Sequence, residues 1–228
     1  MDPMTDMPGS PPGRDGDRDS LMFLLGGPRG AVEGAAPSIT FVAAYAVAGT
    51  SLATALLSAL AVAALVAGVR LVRRESLRQV LGGLAAVALA AGIAARNGQP
   101  EDFFLPSLLA NLAAALVWAT SIVVGWPLLG VVVGAAVGQR TRWRSDASLV
   151  LAYSRASWIW AASFVLRAAV MTPLYLSGQV LALGVAKVAF GWPMVLVVIW
   201  ASWVVIRRTL PEDHPGIFGH RTAVSEQP

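Results

Sequence analysis

The chain has 228 residues, of which 56% are hydrophobic and only 13% are charged, and its mean hydropathy is +0.65. A soluble domain needs more charge than this to cover its surface, so composition excludes the soluble classes and predicts an all-α, polytopic membrane protein. In a soluble protein the net charge of +4 would suggest nucleic acid. Here most arginines lie just beyond apolar segments, which is typical of cytoplasmic loops, and we expect no nucleic-acid partner.

Two polar tails flank a single membrane domain predicted at residues 21–209. Residues 1–20 are acidic and rich in proline and glycine, so they bury almost nothing and are predicted to be disordered. Residues 210–228 form the second tail, and histidines in such a tail usually lie in solvent. We therefore expect no metal site and no cofactor. The only grouped metal-ligand side chains in that tail are Glu212, Asp213, His214 and His220.

The apolar segments between the tails predict six transmembrane helices. One helix over 37–72 would be about 54 Å long, far beyond a hydrocarbon core of about 30 Å, so it should break at the AGTSL sequence around Gly49–Ser51. The stretch 105–138 is also too long, and the proline of the GWP sequence at Gly125–Pro127 should end its helix. The predicted spans are 31–49, 51–70, 77–95, 105–124, 149–176 and 179–206, with an interfacial helix at 127–138 that does not cross.

The placement of arginine favours this span count over the alternatives and predicts that both termini are cytoplasmic. With six spans only Arg96 faces outward, whereas a single span over 37–72 would place two large arginine clusters outside. The predicted location is a bacterial cytoplasmic membrane, where anionic lipid headgroups bind juxtamembrane arginine clusters. The arginines predicted to face the cytoplasm are Arg14, Arg18, Arg29, Arg70, Arg73, Arg74, Arg78, Arg140, Arg142, Arg144, Arg207 and Arg208.

The polar sequence RNGQPED, at 96–102, is then an external loop between the third and fourth spans. Its acidic residues, Glu101 and Asp102, follow Pro100 at the start of the next helix. Acidic side chains are favourable there because the free amides and the helix dipole are positive. A structural role at the helix start therefore accounts well for this acidic pair.

Several sequence stretches resemble a family of actinobacterial multi-pass membrane proteins that is known only as a domain of unknown function. They are GGPRGAVEGAAPSITFVAAY, the arginine-rich loop after the second span, and NGQPEDFFLPSLLANL, and the resemblance covers most of 21–210. More distantly, PSITFVAAY, RLVRR, SRASWIWAASF and the final RRTLP are similar to the intracellular septation protein A family of inner-membrane proteins. The distant resemblance implies a role in envelope synthesis or division and supplies no catalytic residues.

Two cations interrupt the last two predicted spans far from either membrane surface. If the chain turns at Ser177–Gly178, Arg167 and Lys187 each lie about 15 Å from that turn, near mid-bilayer. Neither span contains an acid, and a charged group at this depth is a functional hypothesis by default. Two alternatives stay open, namely a polar cavity that binds an anion or lipid headgroup and a structural polar network. The candidate partners of these cations are Glu101, Asp102 and Asn111.

A small-residue pattern marks the predicted interfacial helix. Gly130, Gly134 and Gly138 give two G-x-x-x-G steps on one helix face, which permit close backbone contact within the bundle or between subunits. Homo-oligomers and membrane-protein partners are therefore both compatible with the sequence.

No known catalytic signature is present in the sequence. It lacks H-E-x-x-H, G-x-S-x-G and a phosphate-binding glycine loop, so we expect no enzymatic activity. The leading prediction is a non-enzymatic structural or partner-binding component of the bacterial cell envelope. The alternative is a small transporter or channel component that binds an anionic solute or lipid headgroup within the membrane.

Overall fold

A computed structural model describes residues 27–47, 51–137 and 141–211, and all regular elements within these ranges are helical. Both predicted tails, apart from residues 210 and 211, lie outside the described residues, as do Gly138 and the four tail metal-ligand candidates. The α-helices are α1 (Gly27–Val47), α2 (Leu52–Val72), α3 (Leu77–Asn97), α4 (Leu105–Val123), α5 (Leu128–Ala136), α6 (Ala147–Leu176), α7 (Val180–Ala189) and α8 (Trp192–Thr209). Two short 3-10 helices, Pro100–Phe104 and Arg142–Ser145, precede α4 and α6.

Five helical segments of the described chain are long and apolar enough to cross a membrane. This confirms the all-helical, multi-pass membrane class that composition predicts. The apolar part of α1 is shorter, at Val32–Val47, so the sixth crossing stays a prediction. The five segments are Leu52–Val72, Leu77–Asn97, Pro100–Val123, Ala147–Leu176 and Val180–Thr209.

Helix α2 shows how the sequence builds these packed helices. Its N-terminus is capped by Ser51, whose side chain accepts a hydrogen bond from the Thr54 amide at 3.4 Å. Alanines recur every four residues along one face and are buried there, because small side chains let neighbouring helices approach closely. The buried alanines are Ala55, Ala59, Ala63 and Ala67.

Short turns between the long helices gather the connections at two ends of the bundle. The Asp102 end contains residues 97–104 and 176–180, and the Arg70 end contains residues 70–78, 124–137, 141–147 and 206–211. Helix α6 has 30 residues, so at about 45 Å it is longer than the hydrocarbon core. Helix α5, with nine residues, is about 13 Å long and too short to cross by itself. It packs against α6, where the Leu129 amide donates to Ser157 Oγ at 3.3 Å.

Two hydrophobic cores correspond to these two ends. At the Asp102 end the rings of Phe41 and Phe103 stack at 4.2 Å, and helices α1, α2, α3, α6 and α7 all contribute to this core. At the Arg70 end Trp143 meets Tyr153 edge-on at 5.6 Å, and Ile206 of α8 packs beside them. The second core draws no residue from α1, α2 or α3 within the described chain. The α1–α3 and α4–α8 groups are therefore joined mainly through the Asp102-end core.

The last predicted span, 179–206, consists of two helices. Helix α7 ends at Ala189, and α8 begins at Trp192 with Pro193 in its first turn. The break follows from Gly191 and from the proline, which has no amide hydrogen to continue the ladder. Helix α7 lies so close to α1 that a methyl group on Gly184 would overlap Val42. Helix α8 instead packs chiefly on α6, so the two halves of this span have different neighbours.

Candidate functional site

A buried carboxylate organises the Asp102 end. Asp102 is 2% exposed and accepts hydrogen bonds from Asn97 Nδ2 at 2.6 Å and from the Tyr175 hydroxyl at 2.5 Å. These bonds connect the end of α3, the Pro100–Phe104 segment and the end of α6. Hydrogen bonds to a carboxylate are stronger than those between neutral groups, so this network fixes three elements against one another. The carboxylate is satisfied by the protein itself.

The neighbouring acid lies over the turn between α6 and α7. Glu101 is half-buried, and its Oε1 would lie 3.8 Å from a β-carbon placed on Gly178. Gly178 itself has a φ of +65°, which side chains rarely adopt, so glycine is required to make this turn. Both predicted acids therefore lie where α7 enters the bundle, in the first turn of the 3-10 helix as expected.

Lys187 lies in the last turn of α7, immediately before the break in the final span. Its Nζ is 5.5 Å from the centre of the Phe104 ring and 5.8 Å from that of Phe103, both within cation–π range. The C-terminal end of a helix also favours a positive charge. Aromatic faces and a helix end therefore stabilise this cation, and no ion pair between it and a carboxylate is present in the described ranges.

Arg167 faces the interior of the bundle from the middle of α6. It follows the buried Leu149 by 18 residues, which is five complete helical turns, so both lie on the same line of the helix. Its neighbours on this face are Trp160 of the Arg70-end core and Met171 of the Asp102-end core. The guanidinium carbon lies 5.3 Å from the centre of the Phe164 ring. Arg167 Nε is buried and has no hydrogen-bond partner in the described part of the chain.

The five polar residues that the sequence groups together have different partners in the structure. Lys187, Glu101 and Asp102 lie on or against the Pro100–Phe104 segment. Asn111 Nδ2 donates to the Ser107 carbonyl of its own helix at 2.8 Å. Arg167 lies at the boundary of the two cores, so the two deep cations have different surroundings.

The small-residue pattern of α5 includes a close contact within the chain. A β-carbon on Gly130 would lie 2.9 Å from the buried ring of Trp143, so glycine allows this ring to pack against the helix. Gly134 is buried on the same face, and Gly138 lies outside the described residues. At Gly130 the pattern thus serves packing inside the bundle, one of the two alternatives left open by the sequence.

A charged cluster at the Arg70 end is not among the residues that the sequence singles out as candidate site residues. Glu33 accepts from Arg70 Nε at 2.8 Å and from Arg73 at 2.7 Å, and Arg70 also lies 3.8 Å from Glu75. Beside it, a cleft of about 100 Å³ runs between α1, α2 and α3. The sequence contained a signal for this cluster, because an antiparallel pair of helices brings an acid at the start of the first span to arginines at the end of the second.

One comparison with known proteins gives a match. A family described as "Protein of unknown function (DUF3159)" matches residues 25–213, which is nearly the whole membrane domain. No curated protein and no solved structure matches the chain. The match confirms the expected relationship to a family known as a domain of unknown function.

Proposed function

Since the chain belongs to the DUF3159 family of proteins of unknown function, we propose its role from its own side chains. The proposed function is to bind an anionic group at Arg167 inside a multi-pass membrane bundle, as a small transporter or channel component without enzymatic activity. In the proposed topology α1 also crosses the membrane, which brings the number of spans to six, and the Arg70 end faces the cytoplasm. The bound group is either a solute anion or the headgroup of an anionic lipid.

The observation that carries this proposal is the buried Nε of Arg167, which has no hydrogen-bond partner among the described residues, on a guanidinium that forms no ion pair there. A charge inside the membrane costs several kcal/mol unless it is neutralised or hydrated. Arg167 faces the core and is only half-buried, while its Nε is buried without a hydrogen-bond partner among the described residues. The one buried carboxylate in those residues, Asp102, is bonded to Asn97 and Tyr175 instead. An anion would supply both the charge and the acceptor that Arg167 lacks.

The distribution of charge indicates the end from which an anion would approach. Among the described residues, Arg96 is the only exposed cation at the Asp102 end, where Lys187 lies against the nearly inaccessible rings of Phe103 and Phe104. The opposite end concentrates arginines, which attract anions over several ångströms and favour a cytoplasmic location. The described arginines there are Arg70, Arg73, Arg74, Arg78, Arg142, Arg144, Arg207 and Arg208.

Binding measurements on the purified chain in phosphatidylcholine nanodiscs test this function. Sodium iodide and sodium phosphate are titrated by calorimetry, and native mass spectrometry detects phosphatidylglycerol retained after its addition. We expect Arg167→Met to weaken binding of the preferred probe at least tenfold. The matched control is Arg155→Met, which removes an exposed arginine of the same helix and should bind as the parent does.

The two probe types separate a solute from a lipid headgroup as the source of the anion. Iodide or phosphate binding that depends on Arg167 indicates a solute, and retention of phosphatidylglycerol that depends on Arg167 indicates a lipid. Equal binding by the parent and by Arg167→Met, for every probe, would overturn the proposal.

A second candidate function is a structural or partner-binding component of the bacterial cell envelope. The packed Asp102-end core favours it, because Phe41, Phe103 and Phe104 leave little room for a solute path at that end. Purification in native lipid followed by mass spectrometry tests this alternative. Reproducible recovery of wall-synthesis or division proteins, with both the parent and Arg167→Met, would support it. The actinobacterial origin and the septation-protein resemblance stay predictions.

A further inference from the structure

Helix α6 carries three hydrogen-bond donors in one line along its core-facing side. Tyr153, Trp160 and Arg167 are spaced seven residues apart, which is almost two helical turns or about 10 Å per step. The Tyr153 hydroxyl, Trp160 Nε1 and Arg167 Nε are all buried, and none has a hydrogen-bond partner within the described ranges. This line runs from the Arg70-end core to the middle of the bundle.

Two further donors lie beside the start of this line. Trp143 is fully buried against Tyr153, and its Nε1 has no partner among the residues that the structure describes. Ser202 of α8 is 5% exposed, and its hydroxyl is likewise without a described partner. Ser202 precedes Ile206 by one helical turn, and Ile206 packs in the same core as Tyr153. Ser202 therefore belongs to the helix that packs on α6, and Trp143 contacts the first residue of the line.

The chemistry of these side chains selects the kind of ligand. Indole and guanidinium nitrogens only donate hydrogen bonds, so Trp143, Trp160 and Arg167 cannot satisfy one another. Buried donors without acceptors are costly and rare in native proteins. Other buried serines nearby do have partners, since Ser163 donates to the Trp160 carbonyl and Ser157 accepts from Leu129. A group of donors with one positive charge fits a ligand that only accepts and is negatively charged.

On the basis of the proposed function, we propose that Tyr153, Trp160 and Ser202 form the path of a small monovalent anion between the Arg70 end and Arg167. Tyr153 and Trp143 are fully buried, which favours a halide-sized ion over a phospholipid as the ligand. A single guanidinium balances one negative charge. The neutral donors replace the water that the anion loses along the path, and Arg167 forms its deepest site.

Chloride uptake into proteoliposomes tests this path, with the chloride-sensitive dye lucigenin trapped inside. Tyr153→Phe and Ser202→Ala each remove one donor by deleting a single oxygen atom, and Trp160→Phe removes the indole donor together with part of the ring. We expect each variant to slow uptake about tenfold, because a lost hydrogen bond to a charged group has an effect of that order. The controls are Trp158→Phe, which alters a half-exposed tryptophan, and Ser163→Ala, whose hydroxyl has a backbone partner. Both should retain parental uptake.

The outcomes distinguish this inference from the proposed function. Normal uptake by the three donor variants, with loss of uptake in Arg167→Met, would overturn the path and leave anion binding at Arg167 intact. Chloride uptake by the parent no faster than by empty liposomes would also overturn the path, while the nanodisc titrations decide the binding function separately. If Trp160→Phe fails to fold, Tyr153→Phe and Ser202→Ala decide the result, since each removes a single oxygen atom.

Discussion

The two ends of this bundle bury polar groups in opposite ways. At the Asp102 end the buried carboxylate receives two hydrogen bonds, and Lys187 faces two aromatic rings. At the Arg70 end and toward the bundle centre, Tyr153 and Arg167 have buried donors without described acceptors. The difference shows that burial alone does not indicate function. A buried polar group points to a ligand when the protein does not satisfy that group itself.

The largest expected effect is a difference in cysteine labelling that reports which end of the bundle faces the cytoplasm. The chain has no cysteine, so single cysteines report position without further changes. We expect Gln99→Cys to react with a membrane-impermeant maleimide on intact cells and Thr141→Cys to react only after lysis. The difference should be nearly complete because the reagent does not cross the bilayer. Labelling of Thr141→Cys on intact cells would reverse the proposed orientation and the direction of anion entry.

Removal of the buried carboxylate should cause the largest loss of stability. Asp102→Ala leaves the Tyr175 hydroxyl and the Asn97 amide without their acceptor, which we expect to lower the free energy of unfolding by about 3 kcal/mol. Thermal unfolding followed by circular dichroism in detergent measures this change. Glu101→Gln, at the adjacent half-buried acid, serves as the control and should have a much smaller effect. A melting temperature equal to that of the parent would show that the Asp102 network is not structural.

Removal of the positive charge of Arg167 should raise the free energy of unfolding, whereas removal of the Asp102 carboxylate lowers it. Arg167→Met replaces a cation that has a buried, unsatisfied Nε and no described ion pair by an apolar side chain of similar length, so we expect unfolding in anion-free buffer to cost about 1 kcal/mol more. The same variant should lose the stabilisation that added iodide gives the parent, because a ligand stabilises only a chain that binds it. Destabilisation by Arg167→Met in anion-free buffer would instead indicate a structural role for the guanidinium, like that of Asp102.

The smallest expected effect lies in the charged cluster at the Arg70 end. Glu33→Gln removes ion pairs to Arg70 and Arg73, whose side chains are partly exposed, so we expect a loss of about 1 kcal/mol or less. The loss should shrink as sodium chloride is raised, because salt screens exposed charges. Melting temperatures at low and high salt measure this. A large loss that is independent of salt would show that this cluster is buried as effectively as Asp102.

Local sequence was sufficient for most helix boundaries. The predicted spans at 51–70 and 77–95 correspond to α2 and α3, because small apolar runs and their breaks are local features.

The GWP sequence occurs twice, at Gly125–Pro127 and at Gly191–Pro193, and a helix ends at both. After Gly125, with a φ of +75°, the chain turns into the short α5, whereas after Gly191 the chain resumes as α8 against α6. The tripeptide predicts a break, and packing decides the direction that follows.

Composition and residue periodicity by themselves determined the membrane class and the helical elements, and they predict that Arg167 and Lys187 lie far from the membrane surfaces. These properties depend on the length and polarity of contiguous segments, which the sequence states directly. Only the tertiary structure decided which polar groups have partners. Tyr175 reaches Asp102 from 73 positions away, and Ile206 comes into the core of Tyr153 through the packing of α8 on α6. Hydrogen-bond satisfaction is a property of side chains that meet across helices, so it separates the structural carboxylate from the proposed anion site.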